Sequence, residues 1–294
     1  MTRYQPLWYQ SADDLRLFAR YYPAPNRDFT LLCMHGLTRN AADFEGLIDH
    51  LAGNQAILAV DQRGRGNSDH DPDPSRYQIA VYAEDMFTLL EHQGITDTVL
   101  LGTSMGGLIA MQMLAMRPDL IRGVVLNDIG AVIEGAGLTR IQNYAGRSAR
   151  PLATWQQAAE QARRVNGGAF PDYTDADWLR FARRQYRENS EGELVLAYDP
   201  AIATASPAGT GEIASVDMWS FYDSLPDIPL LIIRGALSDV LSRECLEEMV
   251  RRKTPRARGV EIANRGHAPA LDEREALDAI ETFLQVLPAR RQAG

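Results

Sequence analysis

Short, continuous apolar runs recur along this chain, and they limit its fold more than any other feature. Phe29-Thr30-Leu31-Leu32-Cys33-Met34 is the first; Ala56–Val60, Thr98–Leu101, Val124–Leu126 and Leu230–Ile233 follow, with a weaker run at Gly259–Ile262. Each is too short for a helix and lacks the polar alternation of a half-exposed strand. They read as strands covered on both faces. Amphipathic stretches lie between them at Val81–Gln93, Met105–Met116 and Arg243–Arg252. Strands alternating with helices predict βαβ units and an α/β fold with a mostly parallel sheet. Upstream, Leu7-Trp8-Tyr9 and Leu15–Tyr22, joined across Ser11–Asp14, predict a β-hairpin.

The alternation fails between about Gly130 and Ser215. Helical stretches at Thr154–Val165 and Asp175–Asn189 occupy that interval, and no buried-strand run interrupts it. A sheet that stops and then resumes predicts a helical cap, or lid, over residues 130–215. The core domain then comprises residues 1–129 and 216–294.

Composition excludes several functions. A hydrophobic fraction of 45% and a charged fraction of 23% suit a core that needs no staples. The net charge of -9 argues against nucleic acid as a partner, because such binding is driven by phosphate neutralisation. Cys33 and Cys245 stand in unrelated contexts, with neither a disulfide framework nor zinc-ligand spacing. Met1–Gln10 lacks a signal-peptide pattern, and no apolar run approaches the roughly 18 residues that span a membrane. The expected setting is the cytoplasm, with a small-molecule substrate and no membrane partner.

Gly102-Thr103-Ser104-Met105-Gly106 follows the Thr98–Leu101 run and opens the Met105–Met116 stretch. By composition, G-x-S-x-G arises by chance in about one chain of this length in ten. The strand–turn–helix context is what singles it out. Small flanking residues permit a sharp turn that lifts the Ser104 hydroxyl above the sheet, with a helix N-terminus beside it. A serine hydroxyl needs a base, and imidazole suits that task near neutral pH. Of the five histidines, His267 alone follows the last strand candidate, where a loop can reach back over the sheet edge. Two carboxylates could orient it: Asp239, beyond Leu230–Ile233, and Asp128, at the end of Val124-Val125-Leu126-Asn127. Asp239 is preferred, since it places the acid after the later strand. His35-Gly36-Leu37 ends the first buried run. Its glycine lets the Leu37 N–H, together with that of Met105, face a developing oxyanion, while His35 braces the loop. The glycines of Asp61–Ser68 lack phosphate-loop spacing and read as scaffold.

These pieces, in this order, resemble the α/β-hydrolase family. The matches are His35-Gly36, Asp61-x-Arg63-Gly64-x-Gly66-x-Ser68, Gly102-x-Ser104-x-Gly106-Gly107, the Asp239 loop and Gly266-His267. They cover about residues 5–128 and 216–288. The resemblance implies an eight-stranded, mostly parallel sheet with helices on both faces, and an activity needing no metal or organic cofactor. Serine at the elbow departs from the aspartate of the family's dehalogenases and epoxide hydrolases. Members that hydrolyse carbon–carbon bonds of ring-fission products often carry Asn before the serine and an aromatic after the histidine. Here those places hold Thr103 and Ala268.

The expectation is therefore a serine esterase acting on a small, largely apolar substrate, with Ser104 as nucleophile, His267 as base and Asp239 as acid. The N–H groups of Leu37 and Met105 form the oxyanion hole. The alternatives are a carbon–carbon hydrolase and a non-catalytic ligand receptor on the same fold. Within the cap, Tyr144, Trp155 and Trp178 are expected to bind substrate, with Phe170, Phe181 and Tyr186 as further aromatic candidates. Arg140, Arg147 and Arg150 could instead receive an acidic substrate.

Overall fold

The structure is a computed structural model that describes residues 3–25, 28–145, 150–204 and 217–288, except for the side chains of 142, 144, 145, 203 and 204. Eight strands form one sheet: β1 (Gln5–Gln10), β2 (Arg16–Tyr22), β3 (Thr30–Met34), β4 (Ala56–Asp61), β5 (Thr98–Thr103), β6 (Ile121–Asn127), β9 (Leu230–Gly235) and β10 (Ala257–Ile262). Their spatial order is β1-β2-β4-β3-β5-β6-β9-β10. The β1–β2 hairpin is antiparallel and β2 joins β4 antiparallel; the remaining pairs are parallel. Every apolar run read from the sequence is one of these strands.

Alternate residues of those runs serve opposite layers. Leu31, Cys33, Ile57, Val99, Leu101 and Ile233 pack on one face, under α1 (Glu45–Leu51) and α10 (Arg274–Gln285). Leu32, Met34, Leu58, Leu100, Leu126 and Ile232 pack on the other, under α2 (Ile79–His92), α3 (Met105–Met116) and α9 (Arg243–Arg252). A strand covered on both sides has no use for polar alternation, which is why these runs are continuously apolar.

Between β6 and β9 lie α4 (Gly135–Ala145), α5 (Trp155–Asn166), α6 (Asp175–Gln185), the strands β7 (Tyr186–Glu188) and β8 (Leu194–Leu196), and α7 (Ala201–Thr204); α8 (Met218–Ser224) follows just before β9. Two features differ from the sequence reading. The helix expected to run to Asn189 stops at Gln185, because Tyr186 turns extended and pairs with Leu196. The turn joining the two strands is set by Gly192 at φ 77° and by the Asn189 side chain, which accepts from the Glu191 and Glu193 N–H groups. Helix α4 was not anticipated, since Gly135 and Gly137 weaken its pattern. Gly137 is needed there: a side chain would drive into the backbone carbonyl of Asp239.

Topology sets up the site. β5, β6 and β9 are neighbours, so the loops leaving their carboxyl ends emerge side by side, and the loop after β10 reaches across them. His35, at the end of β3, is fully buried and fixes the adjoining loop. Its Nε2 accepts the Gln62 N–H at 3.0 Å and its Nδ1 donates to the Gly36 carbonyl at 2.7 Å. Burial, the largest influence, lowers its pKa to about 3 from 6.5. Below pH 6.5 the unfolded chain therefore takes up a proton that the folded protein refuses until about pH 3, so stability is lost as pH falls through that window. Comparing wild type with His35→Gln by denaturant unfolding between pH 7 and 4, we expect wild type to lose up to ~1.4 kcal/mol more per pH unit. Parallel profiles would contradict this.

Candidate active site

Ser104 sits between β5 and α3 with φ 53° and ψ -115°, a backbone conformation that side chains other than glycine rarely adopt. The strain is held from both sides. The Ser104 N–H donates to the Asn127 carbonyl at 2.9 Å, and the Ser104 carbonyl accepts from Gly107 and Leu108. Gly106 allows the turn to pack against β3, because any side chain there would strike the Met34 carbonyl. The hydroxyl is thereby presented to His267, whose Nε2 lies 2.9 Å from Ser104 Oγ.

The other ring nitrogen decides the tautomer. His267 Nδ1 is 2.8 Å from Asp128 Oδ2. An ionised carboxylate can only accept, so Nδ1 carries the proton and Nε2 is free to accept from the serine hydroxyl. Asp128 is fully buried, and its charge is matched by three donors: His267, the Gly235 N–H at 2.8 Å on Oδ1 and the Ser238 hydroxyl at 2.6 Å on Oδ2. Ser238 Oγ in turn accepts from the Val240 and Leu241 N–H groups, which locks the turn after β9.

The carboxylate preferred from sequence is elsewhere. Asp239 makes a two-pronged pair with Arg140 of α4, at 2.6 and 2.8 Å. Its backbone carbonyl accepts the Gly137 N–H at 3.0 Å. Arg140 foremost, with a smaller contribution from His267, holds the Asp239 carboxyl below the usual range. The reason for this difference of partner is positional. β6 lies directly beside the serine's strand, while the segment after β9 is drawn away onto α4. The loop after β9 instead meets Asp128 through Ser238, a residue that no sequence pattern singles out.

Leu37 lines the cavity beside Ser104, and its carbonyl is turned away to accept from Arg65 Nε at 2.9 Å. Arg65 is completely buried and also donates to the Arg63 carbonyl and the Tyr82 hydroxyl, both at 2.8 Å. The Asp61–Ser68 turn, read as scaffold, thus supports this loop directly: Asp61 Oδ1 also accepts the Ala41 N–H at 2.8 Å. The N–H of Met105, at the first position of α3, has no carbonyl one turn back to receive it. Asn127 completes the frame, donating to Thr103 Oγ1 and to the Pro269 carbonyl at 3.0 Å each, and so ties the serine turn to the histidine loop.

A cavity of about 100 Å³ adjoins Ser104 and His267, with Leu37, Ile141, Phe170 and Phe181 among its apolar walls. Of the aromatic residues expected to bind substrate, Phe170 and Phe181 are there; Tyr173, not singled out before, joins them. Trp178 and Trp155 are not on this wall. Trp178 is 2% exposed and packed edge-on among Phe170, Tyr173 and Phe181, while Trp155 packs against α6 beneath the Arg183 guanidinium. Both hold helices together rather than face the serine. The side chain of Tyr144, and Arg147, lie outside the described residues. Two charged pairs reach the cavity, Arg39 with Asp43 and Arg184 with Glu45. Among the described residues, no group of three or more His, Cys, Asp or Glu side chains could hold a metal ion, and no helix is long and apolar enough to cross a membrane.

Residues 30–274 match the family described as having the alpha/beta hydrolase fold. The chain belongs to the alpha/beta hydrolase family. A crystal structure of an alpha/beta hydrolase from Novosphingobium aromaticivorans superimposes with a TM-score of 0.91 at 40% identity, covering 97% of this chain and 99% of that one. A 3-hydroxybutyrate-oligomer hydrolase of Cupriavidus necator is 32% identical over 251 residues, 83% of this chain and 84% of the relative. An esterase of Mycobacterium tuberculosis is 29% identical over 269 residues, 88% of this chain and 83% of the relative. The chain is thus similar to hydrolases along most of its length.

The two carboxylates can be told apart in this hydrolase by kinetics. Asp128→Asn should lower kcat by about 10⁴-fold, because an amide cannot hold the same tautomer or stabilise imidazolium. Asp239→Asn should stay within about tenfold of wild type, since it loosens α4 without touching the imidazole. Steady-state turnover of one ester by both variants checks this, and the reverse order would return the role to Asp239.

Proposed function

We propose that this hydrolase cleaves ester bonds through an acyl-enzyme. The observation that carries the reading is the continuous relay Ser104 Oγ, His267 Nε2, His267 Nδ1, Asp128 Oδ2, with links of 2.9 and 2.8 Å. Ser104 Oγ attacks the ester carbonyl carbon while its proton passes to His267 Nε2. The resulting alkoxide sits beside the Leu37 and Met105 N–H groups, each such donor being worth about 10²–10³ in rate. Collapse of the tetrahedral adduct breaks the bond to the alcohol oxygen, which takes the proton from His267. Water then gives a proton to Nε2 as its oxygen bonds to the acyl carbon; the second adduct breaks the bond to Ser104 Oγ, which takes the proton back from Nε2 as the carboxylic acid leaves. Asp128 keeps the ring oriented and stabilises its cationic form without being protonated itself.

The segment of residues 130–215 acts as the cap in this reading. Ile141, Phe170 and Phe181 close the cavity from that side, which favours a short apolar acyl group at the serine. The similarity to an esterase and to a hydrolase of 3-hydroxybutyrate oligomers supports ester chemistry, since hydroxy acids joined head to tail are oligoesters. The latter also points to substrates that end in a carboxylate.

Short p-nitrophenyl esters assayed with wild type and Ser104→Ala test the proposal. We expect kcat to fall by at least about 10³-fold with the fold intact, and an acyl adduct on Ser104 to appear by mass spectrometry of the quenched wild type. Turnover undiminished in Ser104→Ala would overturn it.

A further inference from the structure

A second, larger hollow lies on the far side of Thr38. This cleft of about 660 Å³ is walled by residues of α4, α5 and the β7–β8 pair. Thr38 lines both the cleft and the cavity at Ser104, so the two meet at the loop that carries Leu37. Thr38 is thus the residue past which a ligand anchored in the cleft would have to reach the serine.

The charged residues described along the cleft are of one sign. Arg140, Arg150 and Arg164 face it, and no Asp or Glu is found among its described lining residues. In a chain of net charge -9 this is a local reversal. The arginines at the Ser104 cavity differ, since Arg39 and Arg184 are already matched by Asp43 and Glu45. Arg150 and Arg164 have no carboxylate within ion-pair distance among the described residues, while Arg140 is held in place by Asp239. Leu152, Val165 and Leu196 supply apolar surface between the charges. A basic wall interleaved with apolar surface suits a ligand with a hydrocarbon body and one anionic end, because guanidinium binds carboxylate with charge-assisted hydrogen bonds.

We propose that this cleft receives the carboxylate end of the substrate while the scissile carbonyl lies at Ser104. The preferred substrates are then carboxylate-terminated esters, of which linear hydroxy-acid oligoesters are the simplest class. The proposal rests on the ester-hydrolase reading above and assigns the residues that select within it. Arg150 and Arg164 attract and hold the carboxylate, and Arg140 is positioned by the loop that also supplies Ser238 to Asp128.

Binding separates this idea from the chemistry. Ser104→Ala protein would be titrated calorimetrically with the linear 3-hydroxybutyrate trimer as free acid and as its methyl ester. We expect the free acid to bind at least about tenfold more tightly, with a preference that weakens as salt is raised. Adding Arg150→Gln and Arg164→Gln should abolish the preference, while Arg150→Lys with Arg164→Lys should retain part of it. Equal affinity for the two ligands, including no binding of either, would overturn the proposal; so would a preference that survives the double glutamine substitution. Wild-type turnover is read separately. Failure to hydrolyse either trimer in a Ser104-dependent way would overturn the ester reading, while the binding comparison would still decide the role of the cleft.

Discussion

The Asp128 carboxylate is the constraint on which the rest of the site depends. A charge buried without solvent contact costs several kcal/mol unless it is met by donors on all sides. Here the donors come from three places in the chain: the end of β9, the turn after it and the loop after β10. Satisfying one carboxylate therefore aligns three segments that are distant in sequence. Removing it would unpair the Gly235 N–H and the Ser238 hydroxyl as well as the His267 ring. The same group that sets the imidazole's tautomer thus holds the site's floor together.

Around this anchor, each component is supported by a neighbour. Asn127, beside Asp128, links the serine turn to the histidine loop. Arg65 and His35, both wholly buried, fix the loop of Leu37 from behind. Asp239 and Arg140 join the turn after β9 to α4, and α4 contributes Ile141 to the cavity. A change in the fit of α4 is therefore felt at the turn that positions Asp128. For the proposed reaction this preorganisation matters because the alkoxide would form where dipoles are already aimed, with no reorganisation needed.

Much of this was legible in the sequence, and the parts that were not share a cause. The strands were readable because burial on both faces leaves an uninterrupted apolar run. The Ser104 turn and the His267 loop were readable because glycines and topology mark them. The carboxylate that meets His267 was not, since Asp128 and Asp239 both follow strands and nothing local tells which way a side chain turns. That choice depends on Arg140, on a helix whose glycines concealed it, and on Ser238, whose role exists only after β6 and β9 are paired. Trp155 and Trp178 lie off the cavity wall for a similar reason. Periodicity places Trp178 on a helix but does not say whether its face meets another helix or the serine. The β7–β8 pair had a signal in the Asn189–Gly192 turn followed by Leu194-Val195-Leu196, which the continuing helical pattern before it masked.

Proton NMR of the exchange-protected imidazole N–H reads the hydrogen bond from His267 Nδ1 to Asp128 itself. A hydrogen bond from imidazole to a buried carboxylate moves that proton far downfield of ordinary amides. One such resonance is expected in wild type, retained in Asp239→Asn, and lost or shifted far upfield in Asp128→Asn. A resonance that persists in Asp128→Asn and vanishes in Asp239→Asn would contradict it.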